Sequence, residues 1–507
     1  MFVNVISCAV FGIDGYVVNV EVDLSSGLPT FEVVGLPDSA VKESRERVRA
    51  AIRNSGFNFP IKRITVNLAP ADTKKSGPSF DLPIAIGIMA SVGIIPAEAT
   101  LGNFFAAELS LDGNLRPVSG ILAMVLAAKK VGIKTMFVAY ENAEEASLAD
   151  GCTVYAARTL NEIALHFATE KMQEYVREKN MPVSQQAYLA DFSDVSGQKY
   201  VKRALEIAAA GNHNTLMLGP PGAGKTMLAR RMPSILPELT FDESLEITKI
   251  YSVAGHLLRK NSLVRERPFR TPHHTASHIS LTGGGRIPTP GEISLAHGGV
   301  LFLDELPEFG KRTLETMRQP LEDGCITITR AGGVCTFPSV FLLLAAMNPC
   351  PCGYLGQPRC NCSSPEISKY LDKISGPLLD RFCITIEATP VSYDELADNV
   401  KNEESSANIK RRVEHARKTQ KKRFKNENIR ENAKMTASLV NKYCKLCKDS
   451  SDFIKQVFDS LPMSARAYHK ILKVSRTIAD LEDAPEIKPE HVAEAVSYRS
   501  LDRKFWG

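Results

Sequence analysis

The segment Gly219-Pro220-Pro221-Gly222-Ala223-Gly224-Lys225-Thr226 limits what this chain can fold into more than any other stretch. It fits the pattern G-x-x-x-x-G-K-[ST], follows the strand-like TLMLG and opens a helix-like run, GKTMLARRMPSIL. Glycines at these places let successive backbone N–H groups turn toward phosphate oxygens, and the helix that follows adds the positive end of its dipole. Lys225 is placed to reach the β- and γ-phosphates of ATP, and the Thr226 hydroxyl to ligate Mg2+. Such a loop needs a parallel α/β sheet behind it, and the flanking pattern supplies one: GGVLFLDE and SVFLLLAAMN read as buried strands, KRTLETMRQPLEDG as a helix between them.

The second half of a phosphate-cleaving site is a carboxylate at the end of a buried strand. After VLFL come Asp304 and Glu305, two charges that are costly to bury without a task. Asp304 is expected to hold Mg2+ through water, and Glu305 to orient or deprotonate the attacking water. Three more polar residues are candidates for the same site. Asn348 follows SVFLLLAAM and is in range of the γ-phosphate, or is a turn residue before Pro349. Arg381 in GPLLDRF is a candidate to stabilise transition-state charge on a neighbouring subunit's ATP, or pairs with Asp380. Arg466 in LPMSARAYHK, early in a C-terminal helix, is expected to touch the phosphates from a lid, or is a surface arginine.

A length of 507 residues implies about three domains. Residues 1–168 alternate strand-like runs (VVNVEVDL, RITVNLAP) with helix-like ones (DSAVKESRERVRAAIRNSG, FDLPIAIGIMASVG), the mark of an α/β domain. A polar stretch at 169–189 suits a linker. The nucleotide-binding core is expected over 190–390, and a helical lid over 391–507, with ARAYHKILKVSRTIADLED its strongest amphipathic run. No apolar run approaches the ~18 residues of a membrane span, and the N-terminus alternates like strands without a basic leader. With 11 cysteines in so long a chain, a cytoplasmic protein with reduced thiols is expected.

Taken in order, the loop, the Asp-Glu strand end, the asparagine, GPLLDRF and SARAYH resemble the magnesium-chelatase-related branch of AAA+ proteins, and in particular the ComM/YifB family. The run RPFRTPHHTASHISLTGGGRIPTPGEISLAHGGVLFLDELPEF carries the likeness most specifically, and it extends over essentially all 507 residues. The resemblance implies a Lon-like α/β N-terminal domain, an AAA+ parallel-sheet core and a helical C-terminal lid. It gives Asn348 the role of first sensor, Arg381 that of arginine finger and Arg466 that of second sensor. It also implies a homohexameric ATP-driven helicase that drives branch migration of DNA in natural transformation. A finger acting on a neighbour itself demands a ring. In Lon-like proteases a serine in a GPS segment pairs with a later lysine. Gly77-Pro78-Ser79 keeps the serine, but Ser119-Gly120-Ile121-Leu122 puts leucine where the base belongs, so an inactive scaffold is expected. A magnesium-chelatase-type motor subunit and a protein-remodelling chaperone are the competing readings.

For single-stranded or branched DNA, the Gly/Pro/His-rich stretch from Arg265 to His297 reads as an insertion. It offers Arg267, Arg270, His273, His274 and Arg286 as phosphate donors and Phe269 as a stacking platform. CITITRAGGVCTF reads as a hairpin whose tip, starting at Arg330, would project into a pore. Residues 410–425 hold nine Lys/Arg against one acid, a phosphate track or a solvated helix face. Finally, Cys350, Cys352, Cys360 and Cys362 form a C-x-C…C-x-C array with enough thiolates for Zn2+, though the pairs are closer than the usual C-x2–4-C.

Overall fold

The computed structural model describes residues 1–177, 190–257, 263–285, 288–330, 333–390, 403–460 and 464–506. The N-terminal part is built on seven strands: β1 (Phe2–Phe11), β2 (Asp14–Ser25), β3 (Thr30–Val34), β4 (Arg63–Ala69), β5 (Asn103–Ala106), β6 (Thr135–Ala139) and β7 (Thr153–Ala157). They lie in the order β3-β4-β2-β1-β5-β6-β7. The β1–β2 hairpin and the β2–β4 pair are antiparallel, the remaining pairs parallel. Alternation along β2 sends Val18, Val20, Val22 and Leu24 into the core. Helix α1 (Ser39–Asn54) is capped by Asp38, whose side chain accepts from the Val41 N–H, and buries Val41, Val48, Ala51 and Ile52. Helix α2 (Asp81–Ser91) is buried along its whole length, its one charged residue, Asp81, being paired with Arg47 at 2.6 Å. It lies close over β2: a Cβ on Gly87 would come within 2.5 Å of Val22 Cγ2. Helix α3 (Ile121–Lys130) covers the same sheet from β1 and β2.

The central part holds five parallel strands: β8 (Thr215–Leu218), β9 (Phe269–Arg270), β10 (Val300–Leu303), β11 (Leu342–Met347) and β12 (Ile384–Glu387), in the order β9-β10-β11-β8-β12. β8, β10 and β11 are buried throughout, as parallel strands covered on both faces must be. One face carries Met217, Phe302, Leu344 and Ala346 into a core shared with the C-terminal helices Ser406–Arg423 and Ala465–Leu481. The other sends Leu218, Leu303, Leu343 and Met347 against Leu281, Phe337 and Phe382. Between β10 and β11 the chain makes the hairpin Cys325–Arg330 and Gly333–Pro338.

The two sheet systems touch at several places. Asp14 pairs with Lys249, and the Ser252 hydroxyl donates to Glu145. The β1–β2 turn rests on the hairpin: a Cβ on Gly12 would lie 3.6 Å from Cys335 Cβ, and a Cβ on Gly333 would strike the Phe11 ring at 2.8 Å.

Candidate active site

The sheet delivers the phosphate loop at the C-terminal end of β8. Gly219 passes so close to the segment after β12 that a Cβ there would fall 2.3 Å from the Ala388 carbonyl oxygen. Gly222 and Gly224 hold φ of 81° and 78°, a backbone that favours glycine. Helix α4 (Lys225–Ile235) starts directly from the loop and directs its free N–H groups there. The Lys225 ammonium donates to the Gly219 carbonyl (2.6 Å), the Pro220 carbonyl (3.0 Å) and Asn348 Oδ1 (3.2 Å). Burial pulls its pKa below the usual lysine range, against the pull of Asp304. All three donors are thus turned on loop and strand-end acceptors that phosphate oxygens can replace.

Across the loop, the Thr226 hydroxyl donates to Asp304 Oδ2 at 2.6 Å. A threonine oxygen and a carboxylate at this spacing suit a small hard cation, and they are the residues that would hold Mg2+. Asp304 Oδ1 accepts from the Glu305 N–H, 3.0 Å. Glu305 has φ of 52°, a left-handed backbone uncommon outside glycine, which turns its carboxylate away from the strand to 56% exposure. Its partner is His274, with Nδ1 3.1 Å from Oε2. The His274–Glu305 pairing has no local signature. The sequence reading missed it, placing His274 only among phosphate donors.

Lys225, Thr226, Asp304, Glu305 and Asn348 therefore converge, and Arg381 and Arg466 do not join them. The Arg381 carbonyl accepts from Asn214 Nδ2, 3.1 Å, and Asn214 precedes β8, whereas the loop follows it. A four-residue strand puts about 13 Å between those ends. The Arg381 guanidinium pairs with Glu322 and donates to the Pro377 carbonyl (2.9 Å), and its side chain is 12% exposed. Arg466 lies at the same end, 3.9 Å from both Glu322 and Asp380, and is 63% exposed. The expectation that Arg466 reaches the phosphates from a lid is corrected for this chain's own site. The C-terminal helix is docked by Thr477, which meets His213 just ahead of β8 (2.8 Å).

The expected DNA contacts divide. Phe269–Arg270 is the edge strand of the central sheet, so the stretch from Arg265 is not wholly an insertion. Its side chains serve the fold: Phe269 stacks on Phe302 at 6.1 Å, and Arg270 forks onto both oxygens of Glu292 at 2.7 Å. Arg267 donates to the carbonyls of Pro237 (2.5 Å) and Gly298 (2.6 Å). Reading Arg267, Phe269 and Arg270 as DNA-facing is corrected accordingly. Arg330 is exposed at the hairpin tip. Arg286 lies outside the described residues, as does most of the expected linker. The basic run lies on Ser406–Arg423, where Lys410 pairs with Glu238, Arg412 with Glu404 and Arg423 with Asp480. In the N-terminal part Ser79 is buried, and Leu122 is buried with its N–H given to Glu145 (2.9 Å). The Lys75 ammonium binds the Thr73 carbonyl (2.9 Å) and hydroxyl (3.2 Å).

A five-stranded parallel sheet of this order, with a phosphate loop after its first strand in sequence and an Asp-Glu pair after its third, defines an AAA+ ATPase. Three family models match: "Magnesium chelatase, subunit ChlI" over residues 191–396, "Subunit ChlI of Mg-chelatase" over 20–142, and "Magnesium chelatase, subunit ChlI C-terminal" over 403–499. Competence protein ComM of Haemophilus influenzae is 45% identical over 98% of this chain and 97% of its own, and the uncharacterized protein YifB of Escherichia coli 43% over 98% and 96%. Lon protease 2 of Bacillus subtilis is 32% identical over 25% of this chain and 22% of its own. The chain belongs to the ComM/YifB family of magnesium-chelatase-related AAA+ ATPases. Among the described residues no helix is long and apolar enough to cross a membrane.

Proposed function

We propose that this chain is a homohexameric, ATP-driven motor acting on single-stranded or branched DNA in the cytoplasm. In this reading it is a branch-migration helicase or translocase of recombination or natural transformation. The observation that carries the ring is the separation of Lys225, Asp304 and Glu305 from Arg381 and Arg466 at opposite ends of one sheet. Each chain then holds ATP at one end and offers two arginines to the next chain's ATP at the other. Within a site, Lys225 leaves its carbonyl acceptors for the β- and γ-phosphates, and Thr226 and Asp304 hold Mg2+. Glu305, freed from His274, takes the proton of the attacking water beside Asn348. Arg381, freed from Glu322, and Arg466 come from the neighbour to the developing charge.

Support for DNA as the cargo comes from the competence protein of Haemophilus influenzae and from the exposed Arg330, next to the β1–β2 turn of the Lon-like part. That part, with leucine at the base position, serves as a scaffold that bears on the hairpin. Strand displacement on forked and four-way DNA tests the reading. The wild type is expected to separate strands only with ATP, and Arg330→Ala to lose at least about fivefold of that activity while still hydrolysing ATP. Hydrolysis stimulated by unfolded polypeptide, with no action on any DNA, would instead support a remodelling chaperone. Indifference to both would support a chelatase-type motor subunit.

A further inference from the structure

The segment joining β11 to the helix Ser364–Leu371 has no strand or helix of its own, yet it abuts the nucleotide loop. A Cβ on Gly353 would fall 2.5 Å from Pro221 Cδ and 3.6 Å from Asn348 Cγ. Apolar packing does not hold this segment in place, because between Pro351 and Ser363 only Gly353 is buried. What converges instead is sulphur. Cys350 and Cys352 Sγ are 3.4 Å apart, Cys350 and Cys360 3.9 Å, Cys352 and Cys360 3.7 Å, and all four sulphurs, Cys362 included, lie within 4.8 Å of one another. Four thiolates on one tetrahedral zinc ion, with bonds of about 2.3 Å, stand about 3.8 Å apart. A disulfide would need about 2.05 Å. An iron–sulphur cluster would push its cysteine sulphurs farther apart, because the cluster sits between them.

The turns fit the same purpose. Gly353 N–H donates to the Cys350 carbonyl (3.0 Å), Gln357 N–H to Tyr354 (2.9 Å) and Cys360 N–H to Gln357 (3.0 Å), with Gly353 and Gly356 at φ of 86° and 83°. Tight turns close each C-x-C pair onto the other, which compensates for spacing shorter than the usual C-x2–4-C. We propose that Cys350, Cys352, Cys360 and Cys362 bind one Zn2+ ion as four thiolates, and that this ion pins the loop carrying Gly353 against Pro221 and Asn348 of the ATP site. Soft sulphur ligands select zinc over the Mg2+ that the neighbouring oxygen ligands take. The zinc assignment does not depend on what the motor moves.

The test is elemental analysis of the purified full-length chain, grown with zinc and dialysed against a weak chelator, alongside Cys360→Ser/Cys362→Ser. About one zinc per wild-type chain is expected, falling at least tenfold in the variant. Cobalt exchanged into the wild type should give the ligand-field bands of a tetrahedral tetrathiolate, a readout that does not require the variant to fold. In a variant whose far-ultraviolet dichroism matches wild type, KM for ATP should rise about tenfold. Zinc-free or iron-loaded wild-type protein, or an unchanged zinc content in the variant, overturns the site. A zinc-depleted variant with unchanged KM overturns the coupling to the ATP loop.

Discussion

At the scale of single residues, the proposed general base, Glu305, is paired with His274. A general base must have its carboxylate free to receive a proton, and one oxygen of Glu305 is engaged by a histidine side chain at 3.1 Å. His274 sits on the stretch between β9 and β10, so whatever displaces that stretch would also free the proposed base. A contact of this kind between partly exposed side chains is worth up to about 1 kcal/mol, a rate change of up to about fivefold. His274→Ala is therefore expected to raise ATP hydrolysis without DNA by up to about fivefold and to shrink any stimulation by DNA. Steady-state turnover measured without DNA checks this, and a fall instead of a rise would make His274 an orienting residue for Glu305. The carboxylate itself was legible from four apolar residues followed by Asp-Glu. Its histidine partner was not, because the contact joins two loop segments that obey no period.

At the scale of elements, the contact between the Lon-like part and the central part rests on a buried carboxyl. Glu145 accepts from the Leu122 N–H and the Ser252 hydroxyl, and burial outweighs both and pushes its pKa up to about 7, from an ordinary 4.5. A carboxyl raised in the folded state binds its proton more tightly there than in the unfolded chain. Its stabilising effect is complete below pH 4.5 and is lost as pH rises toward 7. The full shift corresponds to about 3 kcal/mol. Glu145→Gln keeps an acceptor without the charge, so it should melt higher than wild type at pH 8 and match it near pH 4.5. Thermal melts at the two pH values decide, and a variant that melts lower at pH 8 would mean the carboxylate charge is needed. Elements with long patterns were the legible ones: α1, α2, the buried strands and the hairpin. β9 was missed because two residues carry no alternation, and with it went the inward roles of Arg267, Phe269 and Arg270.

For the whole molecule, the decisive relation is which end of the central sheet each group occupies. Motif order along the chain placed Arg466 with a lid over its own ATP, but a helix pattern says nothing about the end at which the helix docks. That end is set by contacts such as Thr477 with His213, far apart in sequence. Arg381 and Arg466 lie away from the chain's own loop, so in the proposed ring each site would be completed by a neighbour. The central claim, an ATPase whose turnover is geared to DNA through Glu305, is tested most directly by steady-state hydrolysis with and without forked DNA, in wild type and Glu305→Gln. The account predicts strong stimulation of the wild type by DNA and a loss of at least about 100-fold in the variant under both conditions. Hydrolysis that persists in Glu305→Gln, or wild-type turnover unmoved by any DNA, would contradict it.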